Sequence, residues 1–143
     1  MGAQETDRKL HGFMRYHRRV MQRFFSDCGM FNGHPFMLFL LRREPGITPA
    51  EIARRMDITP ASATVSLQRM EAAGLLVRTA DEKDRRVVHL ALTPEGEALD
   101  DRCRAEKDRV AKAIFRDFSE AEMDVLDGFL ERMYNNLKEA ERA

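Results

Sequence analysis

The tetrapeptide ITPA occurs twice, at residues 47–50 and 58–61, and this doublet constrains the fold more than any other feature of the chain. In each copy a Thr precedes a Pro, a pair that is typical of a helix start. The Thr hydroxyl can accept a hydrogen bond from an N–H of the first turn, and Pro loses nothing there because its missing N–H would have no partner. Two starts only eleven residues apart leave room for one short helix and a tight turn. The doublet therefore predicts either a helix-turn-helix or two short helices of an all-α core.

Length and composition limit the class of protein. We predict a single domain over all 143 residues, of which 43% are hydrophobic, as is ordinary for a soluble globular protein. No apolar run approaches the roughly 20 residues of a membrane span, and the N-terminus lacks the apolar segment of a signal peptide. We therefore expect a cytoplasmic protein without membrane contact, in which Cys28 and Cys103 are reduced.

Hydrophobic periodicity predicts two helices before the doublet. Apolar residues recur at intervals of three and four from about Glu5 to Cys28, which indicates a long amphipathic first helix. The segment of residues 29–34 ends this helix, and Pro35 opens a second one that is apolar nearly all round. Such a helix is expected to be central to the core.

The doublet itself begins the third and fourth helices, over residues 49 to about 57 and 60 to about 73. Thr48 and Glu51 are predicted to form a capping box, in which the Glu carboxylate bonds back to the N–H of the cap residue. Gly74 follows the fourth helix, at the position where glycine commonly ends a helix.

Two strands and two further helices complete the predicted order. Residues 75–79 and 87–92 are rich in β-branched and apolar residues, and a polar turn joins them. A third Thr-Pro then begins a fifth helix that runs to about Phe118, and a capping box of Ser119 and Glu122 opens a sixth.

The predicted fold is mainly α, with the order α-α-α-α-β-β-α-α. A winged helix-turn-helix of about residues 35–93 is flanked by helices in residues 1–34 and 94–143. The long first and fifth helices and the apolar stripe of the sixth indicate that these flanks form a homodimer.

The fourth helix and the loop of residues 81–86 carry the residue types that read double-stranded DNA. Small side chains let a helix approach base edges, hydroxyls can donate or accept there, and Val65 can meet a thymine methyl. An arginine at a wing tip suits a narrow minor groove, and Asp81 or Asp84 could orient it. The alternative interpretation is that the same residues form an ordinary solvated helix face and turn, without a role in DNA binding. The predicted DNA contacts are Thr59, Ala61, Ser62, Thr64, Val65, Ser66, Gln68, Arg69, Lys83, Asp84, Arg85 and Arg86.

Three motifs in residues 60–99 resemble the MarR family of bacterial transcription regulators: RMEAAGLLVR at 69–78, D-x-x-D-R-R at 81–86, and LTPEG at 92–96. The resemblance implies a triangular homodimer with interlocking terminal helices, which binds a palindromic operator through two fourth helices and two wings. It also implies repression that is often relieved by a small phenolic or lipophilic effector.

The chain departs from the pattern of the family at two positions. Many members have an Arg where this chain has Val65, so base readout here relies more on small side chains. Many also have an Asp in place of Gln68, which pairs with the wing arginine that matches Arg86. Because Gln68 cannot form this ion pair, Arg86 is either held by Asp84 or left to move.

The resemblance also implies where an effector would bind. Ligands of the family commonly lie between the dimer helices and the winged domain. Residues at such a position are equally suited to a plain core, in which Met fills irregular gaps. The candidate ligand-binding residues are Phe13, His17, Met21, Phe36 and Leu40.

Other functions find less support in the sequence. We predict no cofactor and no metal, since His11, His17, Cys28 and His34 lack ligand spacing and His89 stands alone on a strand. We predict no enzyme, because there is no nucleophile elbow, Gly-rich phosphate loop or HExxH pair. The alternatives that stay open are a winged-helix protein-interaction module without DNA binding and a thiol- or metal-responsive regulator.

Overall fold

A computed structural model describes residues 2–30 and 34–142, and within them six helices and one two-stranded sheet follow in the predicted order. The helices and strands are α1 (Ala3–Asp27), α2 (His34–Arg43), α3 (Pro49–Met56), α4 (Pro60–Ala72), β1 (Leu76–Ala80), β2 (Val88–Leu92), α5 (Pro94–Ile114) and α6 (Glu120–Arg142). The prediction of a mainly α winged helix-turn-helix is confirmed. Residues 31–33 of the segment predicted to end the first helix lie outside the described residues.

The predicted end of the fifth helix was wrong. Helix α5 ends at Ile114, not near Phe118, and a turn follows in which the Phe118 N–H donates to the Phe115 carbonyl. Asp117 has a φ of 72°, in the left-handed region that a short polar side chain tolerates better than most. No Gly or Pro marks this stop, so the sequence pattern gave no sign of it.

The chain divides into two compact units, Met1–Lys107 and Asp108–Ala143. The core of the first unit joins α2, α3, α4, the sheet and the start of α5. Among its fully buried members are Leu38 of α2, Ile52 of α3, Leu67 of α4 and Leu90 of β2. From α1, Phe24 and Phe25 pack against this core, whereas the N-terminal half of the helix is largely exposed.

The sheet extends to the loop before α3. Strands β1 and β2 pair antiparallel, with Thr79 opposite His89, and Leu90 also forms a bridge with Ile47 of that loop. The Gly46 N–H donates to the Leu90 carbonyl over 2.8 Å, and the Leu90 N–H donates to the Ile47 carbonyl over 2.9 Å. These bonds attach the wing to the segment that leads into the helix-turn-helix.

The LTPEG motif joins the wing to α5. The Thr93 hydroxyl accepts from the Gly96 N–H over 3.1 Å, which caps the helix as the third Thr-Pro predicts. The Thr93 N–H donates to the Leu75 carbonyl over 3.0 Å. A Cβ on Gly96 would lie 2.1 Å from that same carbonyl oxygen, so the backbones approach too closely for any side chain.

In the second unit, α6 begins with the predicted capping box. The Ser119 hydroxyl accepts from the Glu122 N–H, and the Glu122 carboxylate accepts from the Ser119 N–H over 2.9 Å. Met123 and Leu126 are half-buried, whereas most of the larger apolar side chains of α6 are exposed, from 44% at Met133 to 71% at Leu137. No helix within the described residues has both the length and the apolar character needed to cross a membrane.

Candidate nucleic-acid interface

Both ITPA segments cap helices as predicted. The Thr48 hydroxyl accepts from the Glu51 N–H over 3.3 Å, and the Thr59 hydroxyl accepts from the Ser62 N–H over 3.1 Å. Asp57 adopts a left-handed conformation with φ 52° and makes the turn between α3 and α4. The Asp57 turn and the Thr59 cap together determine where α4 begins.

The reciprocal half of the predicted capping box on α3 was wrong. The Glu51 carboxylate accepts from Arg54 over 3.1 Å and from Arg55 over 3.1 Å, and does not turn back to the cap. These two hydrogen bonds lower the pKa of Glu51 to about 2. Arg55 also pairs with Glu44 over 2.8 Å, so this cluster braces α3 against the loop before it.

One face of α4 is buried and the other is exposed. Ala63, Leu67 and Met70 face the core, as the sequence predicts. On the opposite side, Ala61, Ser62, Val65 and Ser66 line a shallow surface depression that is open to solvent. Val65 itself is 49% exposed. Four of the predicted base-reading residues of the first turns therefore share one accessible surface.

The hydroxyls of Thr59, which caps α4, and of Thr64 within it already donate hydrogen bonds inside this segment. Thr59 donates to the Ser62 hydroxyl over 3.0 Å, and Thr64 donates to the Pro60 carbonyl over 2.9 Å. A hydroxyl that donates its proton still has lone pairs that accept. Thr64 is therefore suited to accept from a base-edge donor in this conformation, a restriction that the sequence does not give.

The wing arginine is held by Asp84. Arg86 donates to Asp84 through Nε over 3.0 Å and through Nη2 over 3.1 Å, a bidentate pair, while its side chain remains 91% exposed. The Asp84 carboxylate also accepts the Arg86 N–H over 3.1 Å. These bonds lower the pKa of Asp84 and raise that of Arg86. The sequence left open whether Arg86 is held by Asp84 or is left to move, and in the structure Asp84 holds it.

Asp81 has a different role from the one predicted. It pairs with no arginine in the described interactions. Its Oδ1 accepts the Lys83 N–H over 2.8 Å and the Asp84 N–H over 2.9 Å, which folds the wing turn. Its Oδ2 lies 2.8 Å from Nε2 of His89. Hydrogen bonding from His89 and from these two N–H groups lowers the pKa of Asp81 to about 2.

His89 is the residue that sequence reasoning missed. It was noted as standing alone on a strand, but its Nδ1 lies 2.7 Å from the Gly46 carbonyl and its Nε2 reaches Asp81. Asp81 first, and then the Gly46 carbonyl, raise the pKa of His89. No signal in the sequence pairs residues 46 and 89, because the loop that carries Gly46 meets the wing only in the fold.

The remaining predicted contacts lie on the surface. Gln68 and Arg69 are exposed on α4, and Lys83 and Arg85 are exposed on the wing turn. Burial, and next the charge of Arg69, lower the pKa of His34 at the start of α2. Arg69 thus affects the ionisation of His34 on α2, although it lies on the exposed side of α4.

The five candidate ligand residues fall into two environments. Phe13 and His17 stack on an exposed part of α1, with ring centroids 6.1 Å apart, and Phe36 is 44% exposed on α2. Met21 and Leu40 are buried, with 7% and 4% exposure. Of the five, these two therefore contribute to the core whether or not an effector binds nearby.

The two thiols lie in different surroundings. Cys103 is buried, and this burial is the main cause that raises its pKa to about 11, which makes it a poor nucleophile. Cys28 is half-buried, and Arg102 donates to its Sγ over 3.3 Å. Among the described residues, no three His, Cys, Asp or Glu side chains meet in a group that could hold a metal ion.

Comparison with known proteins identifies the family. The sequence model of the MarR family matches residues 34–87. The chain is 34% identical to the HTH-type transcriptional regulator PecS of Dickeya dadantii over 122 residues, which cover 83% of this chain and 74% of that protein. It is 40% identical to the HTH-type transcriptional repressor MdtR of Bacillus subtilis over 62 residues, a match that spans only 40% of that relative and 43% of this chain.

Solved structures agree on the fold. FabT of Streptococcus pneumoniae, in complex with DNA, superposes with a TM-score of 0.80 at 22% identity, over 97% of this chain and 99% of that one. Sequence similarity through both the helix-turn-helix and its flanks, together with this fold, makes the chain a member of the MarR family of transcriptional regulators.

Proposed function

We propose that this protein is a cytoplasmic, homodimeric repressor that binds a palindromic operator in double-stranded DNA. The observation that carries the proposal is the solvent-exposed face of small side chains on α4, which includes Ala61, Ser62 and Val65. It belongs to the same compact unit as a wing whose exposed Arg86 is paired with Asp84. A groove-reading helix and a minor-groove arginine are the two parts that such an operator requires. The likeness to a structure solved with DNA supports the proposal.

The exposed face of α4 also favours a particular kind of readout. Val65 can contact a thymine methyl, and Thr64 can accept from an adenine or cytosine amino group because its own proton goes to Pro60. We therefore expect the half-site to contain a T·A pair opposite Val65. Replacement of Val65 by Ala is expected to relax the preference at that position, by about 1 kcal/mol or less for one lost methyl contact.

The flanks supply the second half of the proposal. Helices within residues 1–34 and 94–143 form the dimer, and residues 35–93 contact DNA. Exposed apolar side chains on α6, such as Phe129 at 48% and Leu130 at 47%, support a partner for this helix. Two recognition helices related by a two-fold axis would meet half-sites one helical turn, about 10 bp, apart or a small multiple of it.

Selection of binding sites from a random duplex pool tests the proposal. Native chain, Arg86→Ala and, as a matched control, Arg116→Ala are carried through the same selection, since Arg116 is an exposed arginine outside the wing. The expected result is one palindrome that binds the native chain and the control alike and binds Arg86→Ala more weakly. Salt titration should weaken binding steeply, because phosphate contacts release counterions.

Two other outcomes have distinct meanings. If the selected palindrome binds Arg86→Ala as tightly as the native chain, the protein is still a DNA-binding regulator, but Arg86 of the wing does not contact the operator. No enrichment at low salt would favour a protein-interaction module, whose apolar contacts should depend little on salt.

An effector site remains part of the proposal. A small phenolic or lipophilic molecule would bind near Phe13, His17 and Phe36, whose exposed rings offer apolar surface next to a titratable group. Salicylate is a suitable phenolic probe, and release of the selected duplex by salicylate is the measurement. Phe13→Ala and His17→Ala should blunt this release, whereas release that is unchanged in both variants would place the effector elsewhere.

A further inference from the structure

The His89 ring connects the wing to the loop that leads into the helix-turn-helix. Its Nδ1 lies 2.7 Å from the Gly46 carbonyl, and its Nε2 lies 2.8 Å from Asp81 Oδ2. The other oxygen of Asp81 accepts the N–H groups of Lys83 and Asp84. One ring therefore fixes the carboxylate around which the wing turn folds.

Both partners of this ring are hydrogen-bond acceptors. A backbone carbonyl has no proton to give, and the Asp81 carboxylate is ionised throughout the neutral range because its pKa is about 2. A neutral imidazole donates from one nitrogen and presents a lone pair at the other. Only the imidazolium donates to Gly46 and to Asp81 at once.

We propose that protonated His89 is a positioning residue of the wing, and that loss of its proton loosens the wing turn and weakens binding to duplex DNA. The part of this inference that concerns DNA rests on the proposed function, whereas the part that concerns the wing turn does not. A neutral ring would release either Gly46 or Asp81. In the second case the turn that carries Lys83, Asp84 and, through Asp84, Arg86 would lose its anchor.

The surroundings of His89 leave Asp81 as the charge that governs it. Across the sheet its partner is the neutral Thr79, and the loop before α3 presents the Gly46 carbonyl. Glu44 of the same loop pairs with Arg55. Within the described part of the chain, Asp81 is the charged side chain that acts on the His89 proton.

The direction of the pH effect follows from these contacts. Because they raise the pKa of His89 above its ordinary 6.5, the protonated state persists into the neutral range. The stabilisation of the folded wing is complete below 6.5 and is lost as the pH rises through the raised pKa. The side chain is 37% exposed, so its proton can exchange with solvent.

Asp81→Asn provides a variant whose side chain favours the neutral His89 ring. The carbamoyl oxygen can still accept the N–H groups of Lys83 and Asp84, while the carbamoyl nitrogen donates toward Nε2 of His89. That arrangement suits the neutral ring with its proton on Nδ1, directed at Gly46. His89→Gln removes the titration and leaves His11, His17 and His34 as a background common to all variants.

The test that needs no DNA is an NMR titration of the full chain, from about pH 5.5 to about pH 8.5, a range that spans the ordinary histidine pKa. The ring ¹⁵N signals of His89 and the amide signals of Lys83 and Asp84 are recorded together. We expect both ring nitrogens to carry protons at the acidic end, and the two amides to follow the midpoint of His89, above 6.5. In Asp81→Asn the His89 midpoint should fall below the native one, and the wing amides should keep their folded positions at the basic end.

A neutral His89 ring at the acidic end of the range would overturn the proposal. So would Lys83 and Asp84 amides that do not move through the His89 midpoint. A merely structural histidine would give this second result, since its ionisation would not reach the wing turn.

The DNA arm uses the duplex selected by the native chain, at one fixed salt concentration. From about pH 6 to about pH 8.5 the native chain should lose about three- to tenfold in affinity, the scale of one hydrogen bond. His89→Gln should lose only the background, and Asp81→Asn should lose less than the native chain. Equal losses in the native chain and His89→Gln would overturn the DNA part. If no duplex is enriched, the proposed function fails, whereas the NMR titration still decides whether His89 positions the wing.

Discussion

In the winged helix-turn-helix, Leu38, Ile52 and Leu67 have no exposed surface, whereas on α6 Val125 is 57% exposed and Leu137 is 71% exposed. Both regions contain amphipathic helices whose first turn is capped by a Thr or Ser hydroxyl. The first completes its core within one chain, through contacts of α2, α3 and α4 with the sheet. The second leaves a contiguous apolar stripe that water would meet in an isolated chain.

The polar groups of the two regions differ in the same way. In the wing, Asp81, Asp84 and His89 satisfy backbone and side-chain groups from three separate segments. On α6 the described polar contacts are local, such as the capping box of Ser119 and Glu122. We infer that contacts within one chain are enough to stabilise the winged region. In contrast, α6 requires a second protein surface to bury its apolar stripe.

The largest expected effect compares two glycines, one where the start of α5 packs against the winged region and one on α6. Gly96→Ala places a Cβ against the Leu75 carbonyl oxygen, and this backbone atom cannot move aside cheaply. We expect the free energy of unfolding to fall by about 3 kcal/mol, measured by urea denaturation. Gly128→Ala on α6 is the matched control, because nothing lies within 4 Å of its added Cβ. It should be neutral or stabilising by up to about 1 kcal/mol. Equal losses at both positions would mean that the two regions are equally constrained.

The next effect concerns the exposed stripe of α6. Met133→Glu introduces a charge in the middle of the stripe, and Glu131→Lys changes a charge on the other side of the helix. We expect Met133→Glu to weaken dimerisation by about 100-fold or more, as for a central apolar residue of an interface, with little change for Glu131→Lys. Sedimentation over a range of concentrations is the measurement. A native chain that is monomeric at micromolar concentration would remove the basis of the comparison.

The sequence predicted the helix starts better than the end of α5 and the contacts between distant segments, for a physical reason. Thr48, Thr59 and Thr93 each precede a Pro and each cap a helix, because a cap is decided by neighbours within three residues. The end of α5 was missed, since Asp117 reaches its left-handed conformation without the usual Gly. The bond of His89 to Gly46 joins residues 43 positions apart, and local patterns carry no information about such a pair.

Smaller effects are expected from the helix caps. Thr59→Ala removes the acceptor of the Ser62 N–H at the start of α4, and Ser119→Ala removes the acceptor of the Glu122 N–H at the start of α6. Each should cost about 1 kcal/mol, seen as faster hydrogen exchange of the freed N–H. The two variants should differ in operator affinity, which we expect to fall only for Thr59→Ala. A loss for Ser119→Ala of the same size would show that α6 helps to position the DNA-binding face.

The smallest effect is an acid titration that compares the carboxylates of the two regions. Asp81 accepts from His89 and two N–H groups, which lowers its pKa to about 2, whereas Glu122 is lowered by Ser119 alone. A depressed carboxylate stabilises the fold above its unfolded pKa, and this contribution is lost as the pH falls through the folded value. The stabilisation by Asp81 is therefore lost between pH 3.8 and about pH 2.

We expect the Lys83 amide to titrate at a lower pH than the Ser119 amide, each followed by NMR. Asp81→Asn should abolish the acid shift of Lys83, and Glu122→Gln that of Ser119. A Lys83 midpoint at 3.8 would show that the wing network is no tighter than a local helix cap.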